Sequence, residues 1–171
     1  MNEELADRYW AVRFESRKRQ FYYSGRMRFW AFLNAAAQIA GFIASTGAYI
    51  AIMQGHSTIA KWAALAVAAI SALALCLKAG DKARECQRFY MAYVHLEGTV
   101  PPPSSGKQTE DAATTAEREL RELVGADAWQ IPCLDKQCDN AACVAFGVPP
   151  RFRLGWIART VGQILPIPFA G

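Results

Sequence analysis

Cys133, Cys138 and Cys143 stand five residues apart, and with His56 and His95 they are the side chains best suited to bind a soft metal ion. Zinc sites usually present a close pair of the CxxC type. That pair is absent here, and residues five apart do not share a helix face, so these residues are expected to be thiols rather than ligands. Neither metal nor cofactor is expected. The chain holds five cysteines, an odd number, with Cys76 and Cys86 completing the set. Cysteines on a cytoplasmic side should stay reduced. Nucleophile elbow, P-loop, HExxH, dinucleotide fingerprint and paired catalytic carboxylates are all missing from the sequence. No catalytic residue is expected, and the chain is not expected to be an enzyme.

The other polar groups of interest lie inside apolar sequence. Asn34 and Gln38 are one helical turn apart, with Ser45 on nearly the same face, and Ser71 interrupts a second apolar run. Polar side chains within a membrane usually face protein or water rather than lipid. They either hydrogen-bond across a helix pair, for about 0.6 to 2 kcal/mol each, or line a water-filled path between subunits. Apart from Lys61 near the start of the second, the apolar runs contain no acid or base, which argues against proton relay and ion-coupled transport.

Those groups are carried by two runs. Residues 29–53 contain no charge, and a second run covers 59–77 with only Lys61 near its start. A helix of ~20 apolar residues is long enough to cross a bilayer, and backbone in lipid must bond to itself. The connection QGHSTIAK is short, so the pair predicts a two-helix transmembrane hairpin within an all-α fold. The acidic opening MNEELADRYW is unlike a secretory signal, so both helices should be retained. Arg8, Arg13, Arg17, Lys18, Arg19, Arg26 and Arg28 precede the first run; Lys78, Lys82, Arg84 and Arg88 follow the second. Basic residues stay on the cytoplasmic side. Both termini are therefore expected in the cytoplasm of an inner-membrane protein. RFESRKRQ would also suit a nucleic-acid patch, but it abuts a membrane run and is interleaved with acids, so no nucleic acid is expected. Phe14, Phe21, Tyr22, Tyr23, Phe29 and Trp30 approach one boundary and Trp62 marks the other, as an aromatic belt would. The expected interface anchors are Arg26, Arg28, Trp30, Lys61, Trp62 and Lys78.

The spans should extend into the cytoplasm. Residues 3–28 read as an amphipathic helix with Leu5, Tyr9, Trp10 and Val12 at helical spacing. No proline occurs between Met1 and Val100, so the first helix should enter the membrane unbroken. KAGDKARECQRFYMAYVHLEG should continue the second out to about Gly98. Residues 99–108 have linker composition, and residues 109–171 are expected to form a small cytoplasmic helical region. Within it, Thr109 is a plausible N-cap, Leu120, Leu123 and Val124 make an apolar stripe, and a short helix is expected around QCDNAACVAF. The tail from Arg151 mixes basic and apolar residues. Such a tail lies in the membrane interface or covers the soluble helices.

Small residues recur every fourth position: Ala36, Ala40, Ala44 and Ala48; Ala37, Gly41 and Ser45; and Ala60, Ala64, Ala68, Ala72, Cys76 and Gly80. Such rows let helix backbones approach closely. They serve either the hairpin alone or the hairpin plus an oligomer face, for which Ala37, Gly41, Ser45, Ala60, Ala64, Ala68 and Ala72 are the candidates.

The order of parts resembles the SLATT family, bacterial two-transmembrane proteins associated with nucleotide-sensing conflict systems. The resemblance runs over residues 5–147, through RYWAVRFESRKRQFYYSGRMRFW, the Ala/Gly-rich hairpin, the helix leaving it and QCDNAACVAFG. It implies a membrane effector that assembles into a pore or perturbs the bilayer. The chain carries no nucleotide-sensor domain, and its tail from Arg151 lies outside the pattern. The leading expectation is a homo-oligomeric membrane effector, in contact with the lipid bilayer and receiving a signal through its cytoplasmic helices. A second is a phage or plasmid membrane interaction protein, holin-like or an exclusion factor, that binds a protein partner through residues 109–171. A third is a soluble helical bundle.

Overall fold

The computed structural model describes residues 3–53, 57–101, 109–126 and 131–153. Among them every regular element is an α-helix: α1 (Glu3–Met53), α2 (Ser57–Leu77), α3 (Ala79–Thr99), α4 (Glu110–Ala126) and α5 (Pro132–Ala145). The fold is all-α. Most of the 99–108 linker, the turn at 54–56 with His56, and the tail beyond Arg153 lie outside the described residues.

The chain divides into two packing units, Met1–Arg26 with Cys86–Gly171, and Met27–Glu85. The first brings together segments distant in sequence. One core cluster joins Tyr9 and Val12 of α1 to Leu96 and Val100 at the end of α3 and to Ala113 and Ala116 of α4, with Leu5, Leu120 and Leu123 packed against it. Alanines at positions 113 and 116 bring the α4 backbone close, leaving room for the Tyr9 ring. The Tyr9 hydroxyl donates to the Thr109 carbonyl at 2.8 Å and accepts from the Thr109 amide at 3.2 Å. A second cluster sets Phe14 against Ala142 and Cys143 of α5, with Trp10, Phe146 and Val148 around it. Trp10 stacks on Phe14 at 5.0 Å, so Leu5, Tyr9 and Val12 face one partner and Trp10 another.

Local chemistry sets the helix ends. Thr109 caps α4, its Oγ1 accepting the Ala112 amide at 3.4 Å, with Glu110 and Asp111 in the positive first turn. The short helix begins earlier than the QCDNAACVAF pattern suggests. Ile131 is extended ahead of Pro132, which occupies the first turn, where a missing amide costs nothing. Its far end closes at Gly147, φ +71°, with the Val148 amide bonding back to the Cys143 carbonyl at 2.8 Å, an end that favours glycine.

Two sequence expectations need correction. The second long helix does not run on unbroken: Lys78 adopts φ +46° between α2 and α3. No glycine marks that position, so nothing in the residue types announces the break. The aromatic run before the first span is also not simply an interface belt. Phe14, Tyr22 and Tyr23 are buried in the first unit, where Tyr23 stacks on Phe89 at 5.0 Å and on Tyr93 at 5.8 Å.

Candidate functional site

The second unit presents apolar side chains that the described residues leave uncovered. Phe32, Ile39, Phe42 and Ile43 of α1 are 60 to 73% exposed, and Tyr49, Trp62 and Leu65 are similar. Water would oppose this arrangement, since covering one such side chain is worth about 1.5 to 3 kcal/mol. Apolar exposure on this scale marks an interaction surface. Within Glu3–Gly47 lies an 18-residue window long and apolar enough to cross a membrane, and none of it is buried. It is the one such helix found among the described residues.

The expected small-residue positions fall on this unit. Ala37 and Gly41 are half-buried; Ser45, Ala64, Ala68 and Ala72 are exposed. A Cβ added at Gly41 would meet no atom within 4 Å, so among the described residues its lack of a side chain answers to no close neighbour. The Ser45 hydroxyl donates to the Phe42 carbonyl at 2.9 Å, which satisfies it locally. Of the polar positions, Asn34 sits beside Gly80, where an added Cβ would lie 3.6 Å from the Asn34 Oδ1, and Gln38 is exposed. The side chains of Ala60 and Ser71, like those of Ala44 and Ala48, lie outside the described set. Among the expected anchors, Arg28, Lys61, Trp62 and Lys78 are exposed, while Arg26 and Trp30 are half-buried. Trp30 packs edge-on to Phe29 at 5.3 Å and carries the Lys82 ammonium 4.5 Å above its ring.

The first unit is fastened differently, by ion pairs that no local pattern reveals. Arg8 holds Glu117 through two bonds of 2.7 and 3.0 Å. The hydrogen bond raises the Arg8 pKa and lowers that of Glu117. Arg17 reaches Glu97 at 2.7 Å, and the Gln20 amide donates both to Glu97 and to the Tyr93 carbonyl. Lys18 is almost buried between three carboxylates: Asp135 at 3.0 Å, Glu15 at 3.6 Å and Asp139 at 3.9 Å. The only advance sign of this arrangement was the spacing of Asp135 and Asp139, one turn apart on a helix otherwise rich in small residues.

The three cysteines of α5 are all buried although they do not share a face, because α5 is enclosed on more than one side. Burial pushes the Cys138 thiol up to about 12, with the Asp135 charge adding to it. Burial likewise raises the Cys143 thiol, whose Sγ lies 3.7 Å from Asp139. Such thiols are poor nucleophiles and poor metal ligands. Among the described residues, no group of three or more His, Cys, Asp or Glu is arranged to hold a metal. Comparison of the chain with family models, curated proteins and solved structures finds no match.

Proposed function

We propose that this is a two-pass membrane protein whose residues 29–53 and 59–77 cross the bilayer as a helical hairpin and self-associate there. The observation that carries the reading is the ring of exposed Phe32, Ile39, Phe42, Ile43 and Leu65, which lipid would cover and water would not. Length agrees: the 21 residues of α2 rise about 31 Å, against a hydrocarbon core of ~30 Å. Basic residues flank both spans, which favours cytoplasmic termini at an inner membrane. The open space at Gly41 favours a second copy as the neighbour of the Ala37–Gly41–Ser45 row. Assembly of this kind fits a bilayer-perturbing or pore-forming effector, the activity implied by the likeness to SLATT proteins, with the first unit as the part that receives a signal.

Membrane fractionation comes first. The chain should sediment with membranes, resist carbonate extraction and need detergent for release; recovery in the soluble fraction would end the hairpin reading. Gly41→Ile should then reduce the oligomer seen by crosslinking in membranes, and an unchanged oligomer would remove that row from the interface. Finally, induced expression in bacteria should collapse the membrane potential, and Gly41→Ile should protect it. A potential retained under every inducing condition would refute the pore.

A further inference from the structure

We infer that a groove on the first unit binds a small aromatic monoanion, its ring against Trp10 and Leu120 and its carboxylate on Arg151. The groove lies along α1, α4 and α5 and has a volume of about 420 Å³, within the range of small-molecule sites. Trp10 forms part of its wall and is held in place by other rings. It stacks on Phe14 at 5.0 Å and meets the Phe146 ring edge-on at 6.4 Å. Trp10 is nonetheless only half-buried, and Ala11 beside it is exposed, so a flat ring has apolar surface to cover and room to approach. Leu120 of α4 adds apolar surface from another helix.

The charges of the lining select the sign of the ligand. Its carboxylates are already met: Glu117 takes Arg8 at 2.7 Å, Glu15 takes Arg19 at 2.8 Å, and Asp139 lies 3.9 Å from Lys18. A cationic ligand would find no unspent acid there. Arg121 also leans on Glu117, at 3.8 Å. Arg151 differs, for among the described residues it makes no ion pair, and its guanidinium rests 5.1 Å from the Phe14 ring centre. It is exposed and lines the groove. The chain fixes its position from both sides. Gly147 turns the backbone at φ +71°, and Pro149 and Pro150 then restrict the path to Arg151. Asn140 clamps the next residue, donating to the Phe152 carbonyl at 2.6 Å and accepting its amide at 2.9 Å. A guanidinium held beside aromatic rings is a planar donor matched to a carboxylate. With one cation left over, the complement is a single negative charge on a ring-bearing molecule. A polyanion would meet the three lining carboxylates as like charges.

The test titrates the full chain in lipid nanodiscs with naphthoate by calorimetry, subtracting empty nanodiscs; naphthamide supplies the same shape without the charge. The groove lies within the first unit, so a chain that stays in solution is titrated in buffer, and the result is independent of the hairpin reading. Naphthoate should bind with a Kd below ~1 mM. Naphthamide should bind at least ~10-fold more weakly, the worth of one charge-assisted bond. Arg151→Gln should reduce naphthoate to the affinity of naphthamide and leave naphthamide itself unchanged, which a merely structural effect would not do. Ala11→Trp fills the groove from an exposed position in its lining and should abolish binding of both, with the helical circular dichroism unchanged. Absence of naphthoate binding at ~1 mM, equal affinities for the two probes, or naphthoate binding unaltered by either substitution would overturn the proposal.

Discussion

Lys18→Met should be among the most damaging single substitutions in the first unit. The Lys18 side chain is 11% exposed and lies within 4 Å of Asp135, Glu15 and Asp139. At an effective dielectric of ~20, each contact is worth about 4 to 6 kcal/mol of gross attraction. Most of that is offset by the cost of drying the charges and by repulsion among the carboxylates. The net cost of removal is set by what stays behind: Asp139 is 12% and Asp135 25% exposed, and both lose their cation. Stranding buried charge costs about 3 to 5 kcal/mol. Partial water access to Asp135 and Glu15 places this case near 3. In a helical domain of about 100 residues, 1 kcal/mol moves Tm by about 4 to 8 °C, so Tm should fall by at least ~12 °C. The assay is thermal unfolding in detergent followed by near-ultraviolet circular dichroism, with amide exchange reporting residues 132–145. Exchange should accelerate first in α5, because Lys18 makes the ion pairs from α1 to Asp135 and Asp139. Adding Asp135→Asn and Asp139→Asn to Lys18→Met should recover more than half of the loss, since the stranded charges are then gone. A cost below about 1 kcal/mol, or no recovery in the triple variant, would refute the claim that charge burial governs this contact.

The remaining predictions concern titration and reactivity. At neutral pH, a Cys138 pKa of about 12 against the ordinary 9.0 means roughly a thousandfold less thiolate. Maleimide should therefore label the exposed Cys76 in detergent well before Cys133, Cys138 or Cys143; prompt labelling of an α5 cysteine in the folded protein would contradict its burial. For the Arg8–Glu117 pair, the folded carboxyl lies below the ordinary 4.5. Its stabilisation is thus fully present above that value and lost as pH falls through the lowered one. The Tm difference between wild type and Glu117→Gln should be constant from pH 6 to 8 and shrink below about pH 4. A difference that stays the same through acid titration of the carboxyl would refute an ionic origin for it.

What could be read in advance was whatever is local. Thr109 as a cap, acids in the next turn and the apolar stripe of α4 all lie within a few residues of one another, and they came out in the helix at Glu110–Ala126. Gly147 ended α5 as its residue type suggests. The misses share a different physics. Tyr22 and Tyr23 suit a headgroup belt and a protein core equally well, because an amphipathic ring satisfies both environments. Only the partners decide, and those are Phe89 and Tyr93 on α3 and the Ile131 amide, which donates to the Tyr22 hydroxyl at 3.0 Å across 109 positions of sequence. Lys78 lies at a break that a non-glycine residue enters at some energetic cost, so composition argued against it. Pairings such as Arg8 with Glu117 and Lys18 with Asp135 have no spacing rule from which to be inferred.

The two units divide the apolar residues unequally, and that explains why the first is fastened by polar bonds. Its buried aliphatic side chains larger than alanine, among the described residues, are Val12, Leu96, Val100 and Leu134. Such a core is too sparse in branched side chains to fix the positions of three helices against α1 by shape alone. Directional contacts supply what packing does not. Along α1, Tyr9 secures the start of α4 and Arg8 its middle at Glu117, Arg17 and Gln20 secure α3 at Glu97, Lys18 secures α5, and Tyr22 secures the Ile131 amide ahead of it. Each of these bonds is made by a residue of α1 between positions 8 and 22, and together they reach α3, α4, α5 and the segment ahead of α5. The N-terminal part of α1 is therefore the spine on which the first unit is assembled. Three basic residues of the stretch RFESRKRQ, Arg17, Lys18 and Arg19, pair with carboxylates inside this framework.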